Sequence, residues 1–212
     1  MAAVPGVVAA VPAPDPASSG EDRRAAIARA ALTILGTHGS RGLTHRAVDR
    51  HLGYGEGTSS AYFRRRADLV EAAVRALFAS DRARFETMAG AMLAAPGPLT
   101  PGQLAQFYLG LIEDVVTRMP QEARLARYEC FLLASRDPAT ARLLEASFDT
   151  RETFDAALFE KAGAPDPHQA AVRFGYFLRG VFLTLAILPG ASARHALLGP
   201  AQMQRQILAA FG

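Results

Sequence analysis

The sequence predicts an all-α protein of about nine helices, and three observations carry that prediction. Apolar residues recur at intervals of three and four along most of the 212 residues, which is the spacing that places them on one side of a helix. No segment shows the apolar–polar alternation of a strand. Prolines and glycines interrupt the helical pattern at separate points and divide it into helix-sized segments. Half of the residues are hydrophobic, so the chain can bury a sizeable core.

The amino-terminal part is predicted to contain a tail and four helices. Residues 1–20 are rich in proline and read as a flexible tail. A first helix follows and ends in the glycine-containing segment 36–42. Thr44 is suited to cap a second helix over residues 44–51, because its hydroxyl can accept a hydrogen bond from the first turn. A third short helix is predicted at about residues 56–63, and a long fourth helix at about residues 67–93.

A break rich in proline and glycine, residues 96–102, separates this part from a predicted helical bundle. The helices predicted after the break are residues 104–119, 121–135, 139–162, 167–188 and 201–211. We therefore predict three regions: a tail at residues 1–20, a small helical domain at residues 21–67 and a larger helical domain at residues 68–212.

Residues 42–69 contain the most informative pattern in the chain. Two short helices joined by a glycine turn at residues 53–55 form an arrangement whose second helix fits the major groove of DNA. That second helix is rich in small hydroxyl residues, and three arginines, Arg64 to Arg66, follow it directly. Hydroxyl and guanidinium groups are suited to phosphate contacts. The pattern therefore predicts a helix-turn-helix that binds DNA, although a lone arginine triplet is usually only a solvated surface run.

The distribution of charge favours the same interpretation. The formal net charge of the whole chain is +3. Residues 21–75 contain ten arginines and six carboxylates, so this segment carries more positive charge than the entire chain and the remainder is slightly acidic. A concentration of basic charge at one end is typical of a nucleic-acid-binding head on a neutral body.

The same residues resemble the tetracycline-repressor (TetR) family of bacterial regulators. The resemblance rests on Gly-Leu-Thr-His-Arg at residues 42–46, on Leu-Gly at residues 52–53, and on Gly-Thr-x-x-x-Tyr-Phe-x-x-Arg-x-x-Leu at residues 57–69. It covers about residues 21–80, while the remainder is similar in its number of helices and its apolar penultimate helix. The resemblance implies a homodimeric repressor that binds double-stranded operator DNA and releases it when a small apolar effector binds. An activator is the alternative within this class.

The resemblance also implies roles for single residues of the head. His45 falls at a polar phosphate contact, with an ordinary surface histidine as the alternative, and Arg46 falls at a position that reaches a guanine edge in some members. Ser60 departs from the tyrosine that is common in the family, and Tyr54 in the turn could supply the missing aromatic. The complete predicted DNA-binding set is Thr44, His45, Arg46, Tyr54, Gly57, Thr58, Ser59, Ser60, Tyr62, Arg64 and Arg66.

Aromatic residues of the bundle are candidates for an effector site, because ligand sites between helices are mostly apolar with a few polar anchors. For most of these aromatics the alternative is an ordinary core role. For Arg173, the one arginine of the set, the alternative is an ion pair. The predicted ligand-binding set is Phe107, Leu111, Tyr128, Phe131, Arg173 and Phe177.

The helix at residues 167–188 is apolar on more than one face, which predicts that it is buried on both sides. Packing against a second copy of the chain would satisfy this requirement, and the TetR resemblance implies the same. The predicted dimer interface consists of Phe174, Gly175, Leu178, Val181, Phe182 and Leu185.

Catalysis, metal binding and a cofactor have no support in the sequence. No two of the five histidines lie three or four residues apart on one helix, and no nearby carboxylate completes a metal-binding set. No phosphate-binding or hydrolase motif is present. The single cysteine, Cys130, lies among apolar residues and is predicted to be an inert core residue. The longest apolar run, residues 181–188, is far shorter than the ~20 residues of a membrane span, so a cytoplasmic protein is predicted. The alternative function is a helical small-molecule-binding or redox-sensing protein that binds no DNA.

Overall fold

The computed structural model of the protein describes residues 20–188 and 199–212, and within those ranges it contains nine α-helices and no strand. The helices are α1 (Gly20–Gly42), α2 (His45–Leu52), α3 (Thr58–Tyr62), α4 (Arg66–Ala94), α5 (Pro101–Arg118), α6 (Gln121–Ala134), α7 (Pro138–Lys161), α8 (Pro167–Ile187) and α9 (Pro200–Phe211). The predicted all-α class and helix number are confirmed. The predicted tail at residues 1–19 and the break at residues 189–190 lie outside the described residues, whereas Gly20, predicted as tail, begins α1.

Local sequence signals explain where the helices begin and end. The Thr44 hydroxyl accepts a hydrogen bond from the Ala47 amide, which confirms the predicted cap of α2. Gly53 ends α2 in the left-handed conformation (φ 67°), which a glycine adopts without steric cost. Asp137 and Asp166 cap α7 and α8 in the same way as Thr44 caps α2, and each precedes a proline in the first turn of its helix.

Two hydrophobic clusters organise the chain. The first, which we call the head cluster, contains buried residues of α1, α2 and the amino-terminal half of α4, together with Ala126 and Cys130 of α6. The second, the bundle cluster, contains buried residues of the rest of α4 and of α5, α7, α8 and α9. The rings of Tyr108, Phe159 and Phe174 contact one another within it. We use "head" for α1–α3 and "bundle" for α5–α9. The long helix α4 contributes to both clusters.

Helix α6 belongs to the bundle but supplies Ala126 and Cys130 to the head cluster, and its contact with α1 is close. A Cβ atom at Gly36 would lie 1.8 Å from the Glu122 carbonyl oxygen, so a glycine is required where the two helices touch. Further along, α1 is kinked at Gly39, and the adjacent Ser40 amide donates to the Glu129 carboxylate at 3.0 Å. The head is therefore attached to the bundle through two helices, α4 and α6.

Helix α8 corrects the predicted dimer interface. Phe174, Gly175, Leu178, Val181 and Leu185 are buried within this chain, because α7 and α9 cover the side of α8 on which they lie. The bundle therefore buries most of the apolar side that the sequence assigns to a second subunit, and these five residues do not form an interface in this conformation. Phe182 is only partly buried, so its interface role stays a prediction. The exposed apolar residues of α8 are instead Tyr176, Leu183 and Ile187.

Within the described ranges, α8 is also the one helix long and apolar enough to cross a membrane, with a mean hydropathy of 1.5. The core helix of a soluble protein passes the same test, and one face of α8 lies in the bundle cluster.

Candidate nucleic-acid interface and internal cavity

A buried carboxylate fixes the angle between α2 and α3. Asp49 in α2 is 2% exposed, and its two oxygens accept hydrogen bonds from the Gly57 amide at 2.9 Å and the Ser59 amide at 2.8 Å. These amides lie at the start of α3, where backbone N–H groups have no partner within the helix. Since α3 spans only five residues, this contact and the turn with Gly57 in the left-handed region (φ 91°) set its position.

The position of Ser59 contradicts its predicted role as a DNA contact. Its side chain is fully buried, and its hydroxyl donates to the His45 carbonyl oxygen at 3.2 Å. The residue therefore holds α3 against α2 and does not face a groove. The physical reason is that the first turn of α3 must pack on α2, which leaves room there for a small side chain only.

His45 and Arg66 make hydrogen bonds to backbone carbonyls within the head. The His45 Nε2 atom lies 2.6 Å from the Phe63 carbonyl oxygen. The Arg66 Nε donates to the Leu43 carbonyl at 3.0 Å, and its Nη2 donates to the Ser40 carbonyl. These side chains thus connect α1, α2, α3 and α4. Arg66 is nevertheless exposed, so its phosphate contact stays a prediction.

The tyrosines of the head are half-buried. Tyr54 contacts the head cluster, its hydroxyl is buried without a hydrogen-bond partner, and burial raises its pKa. Its hydroxyl therefore cannot reach a phosphate in this conformation, contrary to the prediction. Tyr62 also packs on the head cluster, and the Arg24 guanidinium lies 5.6 Å from the centre of its ring.

The remaining predicted contacts lie at the surface of the same region. Arg46 is exposed and pairs with Glu56 at 3.1 Å, while Thr44 and Arg64 are exposed as well. Thr58 and Ser60 are partly exposed, and their hydroxyls donate to the carbonyls of Gly55 and Gly57. Exposed ion pairs of the Arg46–Glu56 type contribute little to stability and exchange readily, so the guanidinium is available to another anion.

A cavity of about 540 Å³ lies between α4, α5, α6, α7 and α8. This size is within the range of small-molecule sites. Its apolar wall consists of Phe78, Phe85, Leu111, Tyr128, Phe131, Phe148, Phe154, Leu178 and Phe182. Seven arginines and two aspartates also line it, so the cavity is aromatic and basic together.

The two aspartates of the cavity are each bound to an arginine. Asp81 lies 2.6 Å from the Arg127 guanidinium, and Asp155 accepts from the Arg151 Nε at 2.9 Å. Asp155 is fully buried and also accepts a hydrogen bond from the Tyr108 hydroxyl at 2.7 Å. Burial raises the pKa of Asp155, which the Arg151 charge and the Tyr108 hydrogen bond oppose, and it raises the pKa of Tyr108 well above its usual range.

The sequence of the bundle matches a known family. The family model for the tetracyclin repressor-like, C-terminal domain matches residues 99–208, which is slightly more than half of the chain. The chain belongs to the TetR family. No curated protein matches the sequence.

Solved structures share the fold of this chain. A protein from Mesorhizobium loti, described as a candidate TetR-family transcriptional regulator, aligns over 92% of this chain and 96% of its own, with a TM-score of 0.70 and 20% identity. GusR of Salmonella enterica aligns over 93% and 99%, with a TM-score of 0.69 and 19% identity. The multidrug binding protein EbrR, complexed with imidazole, aligns over 89% and 94%, with a TM-score of 0.65 and 23% identity.

The cavity of this TetR chain contains three of the six residues predicted for ligand binding. Leu111, Tyr128 and Phe131 line it. Phe107 does not, because it is buried against Phe85 and Tyr108, and Phe177 packs on the bundle cluster beside Phe174. Arg173 lies outside the cavity wall on α8. These three assignments are wrong for this cavity, since helical spacing does not reveal which of several core-facing positions border a void.

Sequence reasoning considered Arg127 as an anchor for an acidic ligand group, with an ion pair as the alternative, but it missed Arg151 and Asp49. Arg127 and Arg151 lie on amphipathic helices where arginine usually indicates solvent, and no local pattern pairs Arg127 with the distant Asp81. A signal for Asp49 was available, because His45, Asp49 and Leu52 fall on one face of α2 at intervals of four and three. Two polar residues beside a core leucine indicate a side that packs on another element.

Cys130 lies in the head cluster at 1% exposure, and burial raises the pKa of its thiol to about 12. The thiolate is the reactive form of cysteine, so this residue is chemically inert near neutral pH. Among the residues that the structure describes, no group of three or more histidine, cysteine or acidic side chains could hold a metal ion.

Proposed function

We propose that this TetR-family chain is a ligand-responsive DNA-binding transcription regulator, and that it acts as a repressor in the cytoplasm. The observation that carries the proposal is the α2–α3 arrangement, in which Asp49 fixes a short helix beside exposed Arg46 and Arg64. A fixed second helix with exposed cationic and hydroxyl groups is what major-groove binding requires. The chain is not an enzyme in this proposal.

Eight residues form the proposed DNA surface: Thr44, Arg46, Gly57, Thr58, Ser60, Tyr62, Arg64 and Arg66. Thr58 and Ser60 lie on the recognition helix α3, with Thr44 and Arg46 at the start of α2 and Arg64 just after α3. Gly57 allows the turn to approach the backbone of the duplex closely, and Tyr62 is half-buried and remains a candidate for a phosphate contact. His45 and Ser59 support this surface from within the head.

The proposed effector site is the cavity of the bundle. EbrR, which shares the fold, is a multidrug binding protein and its structure holds imidazole. In the present chain, α6 supplies Arg124, Arg127, Tyr128 and Phe131 to the cavity wall, and the same helix places Cys130 in the head cluster.

This arrangement provides a route for regulation. Helix α4 contributes to the cavity wall and to the head cluster as well, so a ligand that prefers another spacing of α4 and α6 would change the position of the head. The ligand shifts the equilibrium only by the difference between its affinities for the two shapes, and about 5.5 kcal/mol would convert nearly complete DNA binding to nearly complete release.

The proposed regulator is a homodimer. Tyr176, Leu183 and Ile187 are 69%, 40% and 60% exposed, and with Gly180 they follow one another along α8 at intervals of four, three and four. They form one apolar face that points away from the bundle cluster, which suits packing against the same face of a second copy. Two heads would then bind two half-sites of a palindromic operator about 34–36 Å apart, or at a larger interval that keeps the groove phase.

A gel-shift experiment tests the proposal. The full chain is mixed with a duplex that covers the region upstream of its own gene, and with a shuffled duplex of equal composition as the control. We expect a retarded complex with the upstream duplex at a concentration at least about tenfold lower, because specific binding exceeds non-specific binding by large factors. Equal retardation of the two duplexes, or none, would favour a ligand-binding protein without DNA recognition.

A further inference from the structure

The cavity contains an excess of arginine side chains over carboxylates. Seven arginines line it, but Asp81 and Asp155 are the only acidic residues among the described lining residues, and each already pairs with an arginine. Four of the other arginines pair with carboxylates that do not line the cavity, as Arg84 does with Asp114 at 2.9 Å. Arg124 is therefore the one lining arginine without a carboxylate partner among the described residues, and the unpaired positive charge of the cavity wall lies there.

Two of these arginines carry donors without acceptors. The Arg124 Nε and the Arg151 Nη2 are buried, and neither makes a hydrogen bond within the described protein. The Arg124 Nη1 donates to the carbonyls of Val115, Val116 and Met119, and no ion pair of the described residues includes Arg124. Buried polar groups in proteins are almost always hydrogen-bonded, so two orphaned donors in one cavity wall indicate a missing acceptor.

The aromatic side chains argue against a cationic ligand. The Arg151 guanidinium lies 3.7 Å from the centre of the Phe85 ring, and the Arg179 guanidinium lies 4.6 Å from that of Phe148. A ligand cation binds on such ring faces, but the protein's own cations already occupy them. A positively charged ligand would also be repelled by the guanidinium of Arg124, which has no carboxylate partner among the described residues.

We propose that the cavity binds an amphipathic anion, namely a molecule with one carboxylate group and an aromatic or apolar body. Its carboxylate accepts a hydrogen bond from the Arg151 Nη2, with the Arg124 Nε as the second donor of the site, and its body contacts Phe131, Phe154 and Phe182. Arginine and carboxylate form charge-assisted hydrogen bonds, which are about twice as strong as neutral ones. This inference rests on the proposed function, which assigns the effector to the same cavity.

Isothermal titration calorimetry on the full chain tests the inference with three probes of one shape. They are naphthalene-2-carboxylate, the neutral naphthalene-2-carboxamide and the cationic naphthalen-2-ylmethylammonium. We expect the carboxylate to bind at least about tenfold more tightly than the amide, as a charge-assisted bond predicts, and the ammonium to bind most weakly. Equal affinities would overturn the anionic class and leave the cavity as a ligand site. Absence of binding by all three probes would overturn the inference and count against the effector cavity itself, whereas DNA recognition is decided separately by the gel shift.

Substitutions of single arginines show which side chains give the cavity its preference for the carboxylate probe. In Arg151→Gln the ratio of carboxylate to amide affinity should fall by about tenfold, and in Arg124→Gln it should fall by a smaller factor, because each removes one charged donor. Arg118→Gln is the matched control, since this exposed arginine does not line the cavity and should leave the ratio unchanged. The amide affinity reports whether a variant keeps the cavity intact. A ratio that stays at the wild-type value in both cavity variants, with amide binding retained, overturns the assignment.

Discussion

The head and the bundle both contain many arginines but place them in opposite environments. In the head, Arg46, Arg64 and Arg65 are exposed, whereas Arg127 and Arg151 of the bundle lie in the wall of an internal cavity. An exposed guanidinium can meet a large polyanion such as duplex DNA, and an interior one can meet only a small molecule that enters. Burial and partners therefore decide what a charged side chain does, and composition alone does not.

The two parts also use their buried carboxylates differently. Asp49 in the head accepts hydrogen bonds from backbone amides of α3, so it fixes the path of the chain. Asp155 in the bundle accepts from the side chains of Tyr108 and Arg151, so it fixes a cavity group. The first carboxylate should matter for folding of the head, and the second for the cavity.

The largest loss of stability is expected from a substitution that forces the head and the bundle apart. In Gly36→Ala the new Cβ would overlap the Glu122 carbonyl, so α1 and α6 must move apart. We expect the free energy of unfolding to fall by about 3 kcal/mol, as forced overpacking costs about 1–3 kcal/mol or more. Urea denaturation followed by circular dichroism measures it.

Gly90→Ala is the control for this prediction. Gly90 is exposed in α4, and no atom lies within 4 Å of the position that a Cβ atom would take there. The substitution should therefore stabilise the chain by about 0.5–1 kcal/mol through helix propensity. Similar losses in the two variants would mean that the α1–α6 contact does not hold the parts together.

A smaller loss, confined to the head, is expected for Asp49→Ala. The substitution leaves the Gly57 and Ser59 amides without acceptors, which costs about 1–3 kcal/mol in stability, and DNA binding should weaken because α3 loses its position. Asp49→Asn keeps one acceptor oxygen and should lose less. DNA affinity is measured by fluorescence anisotropy. An unchanged affinity in Asp49→Ala would mean that DNA binding does not depend on the position that Asp49 gives to α3.

In the bundle, Tyr108→Phe should cost about 1–2 kcal/mol, because Asp155 loses a buried hydrogen-bond donor. The affinity of the naphthalene probes for the cavity should change, while DNA affinity stays close to the wild-type value. An effect on DNA binding equal to that of Asp49→Ala would remove the distinction between the two buried carboxylates.

The pKa of Asp155 gives a further and smaller test. Burial raises this pKa in the folded chain above its usual value of 3.8, with Arg151 and Tyr108 opposing the shift. A carboxyl with a raised folded pKa stabilises the fold while it is protonated, and this contribution is lost as the pH rises through the folded pKa. The advantage of the wild type over Asp155→Asn in free energy of unfolding should therefore decrease as the pH rises above the usual pKa of 3.8. An increase would mean that the Arg151 charge outweighs burial.

The sequence predicts the fold and the place of the head more accurately than the environment of single side chains. Helix bounds such as those of α4 and α8 follow from apolar spacing and from proline and glycine, which are local signals. The burial of Ser59 and Val181 depends on which other helix covers them, and that is a property of the tertiary arrangement. The same holds for the cavity, where Arg151 of α7 meets Phe85 of α4 across a distance in sequence that no local pattern reports.

The salt dependence of duplex binding tests most directly whether the head, and not the bundle, presents its cations to DNA. Anisotropy titrations with the upstream duplex at several salt concentrations should give a steep decrease in affinity for the wild type, with a slope lower by about 0.9 in Arg64→Ala, because one phosphate contact is lost. Arg124→Gln, with its cation inside the bundle, should keep the wild-type slope. Equal slopes in the wild type and Arg64→Ala, or a reduced slope in Arg124→Gln, would contradict the account.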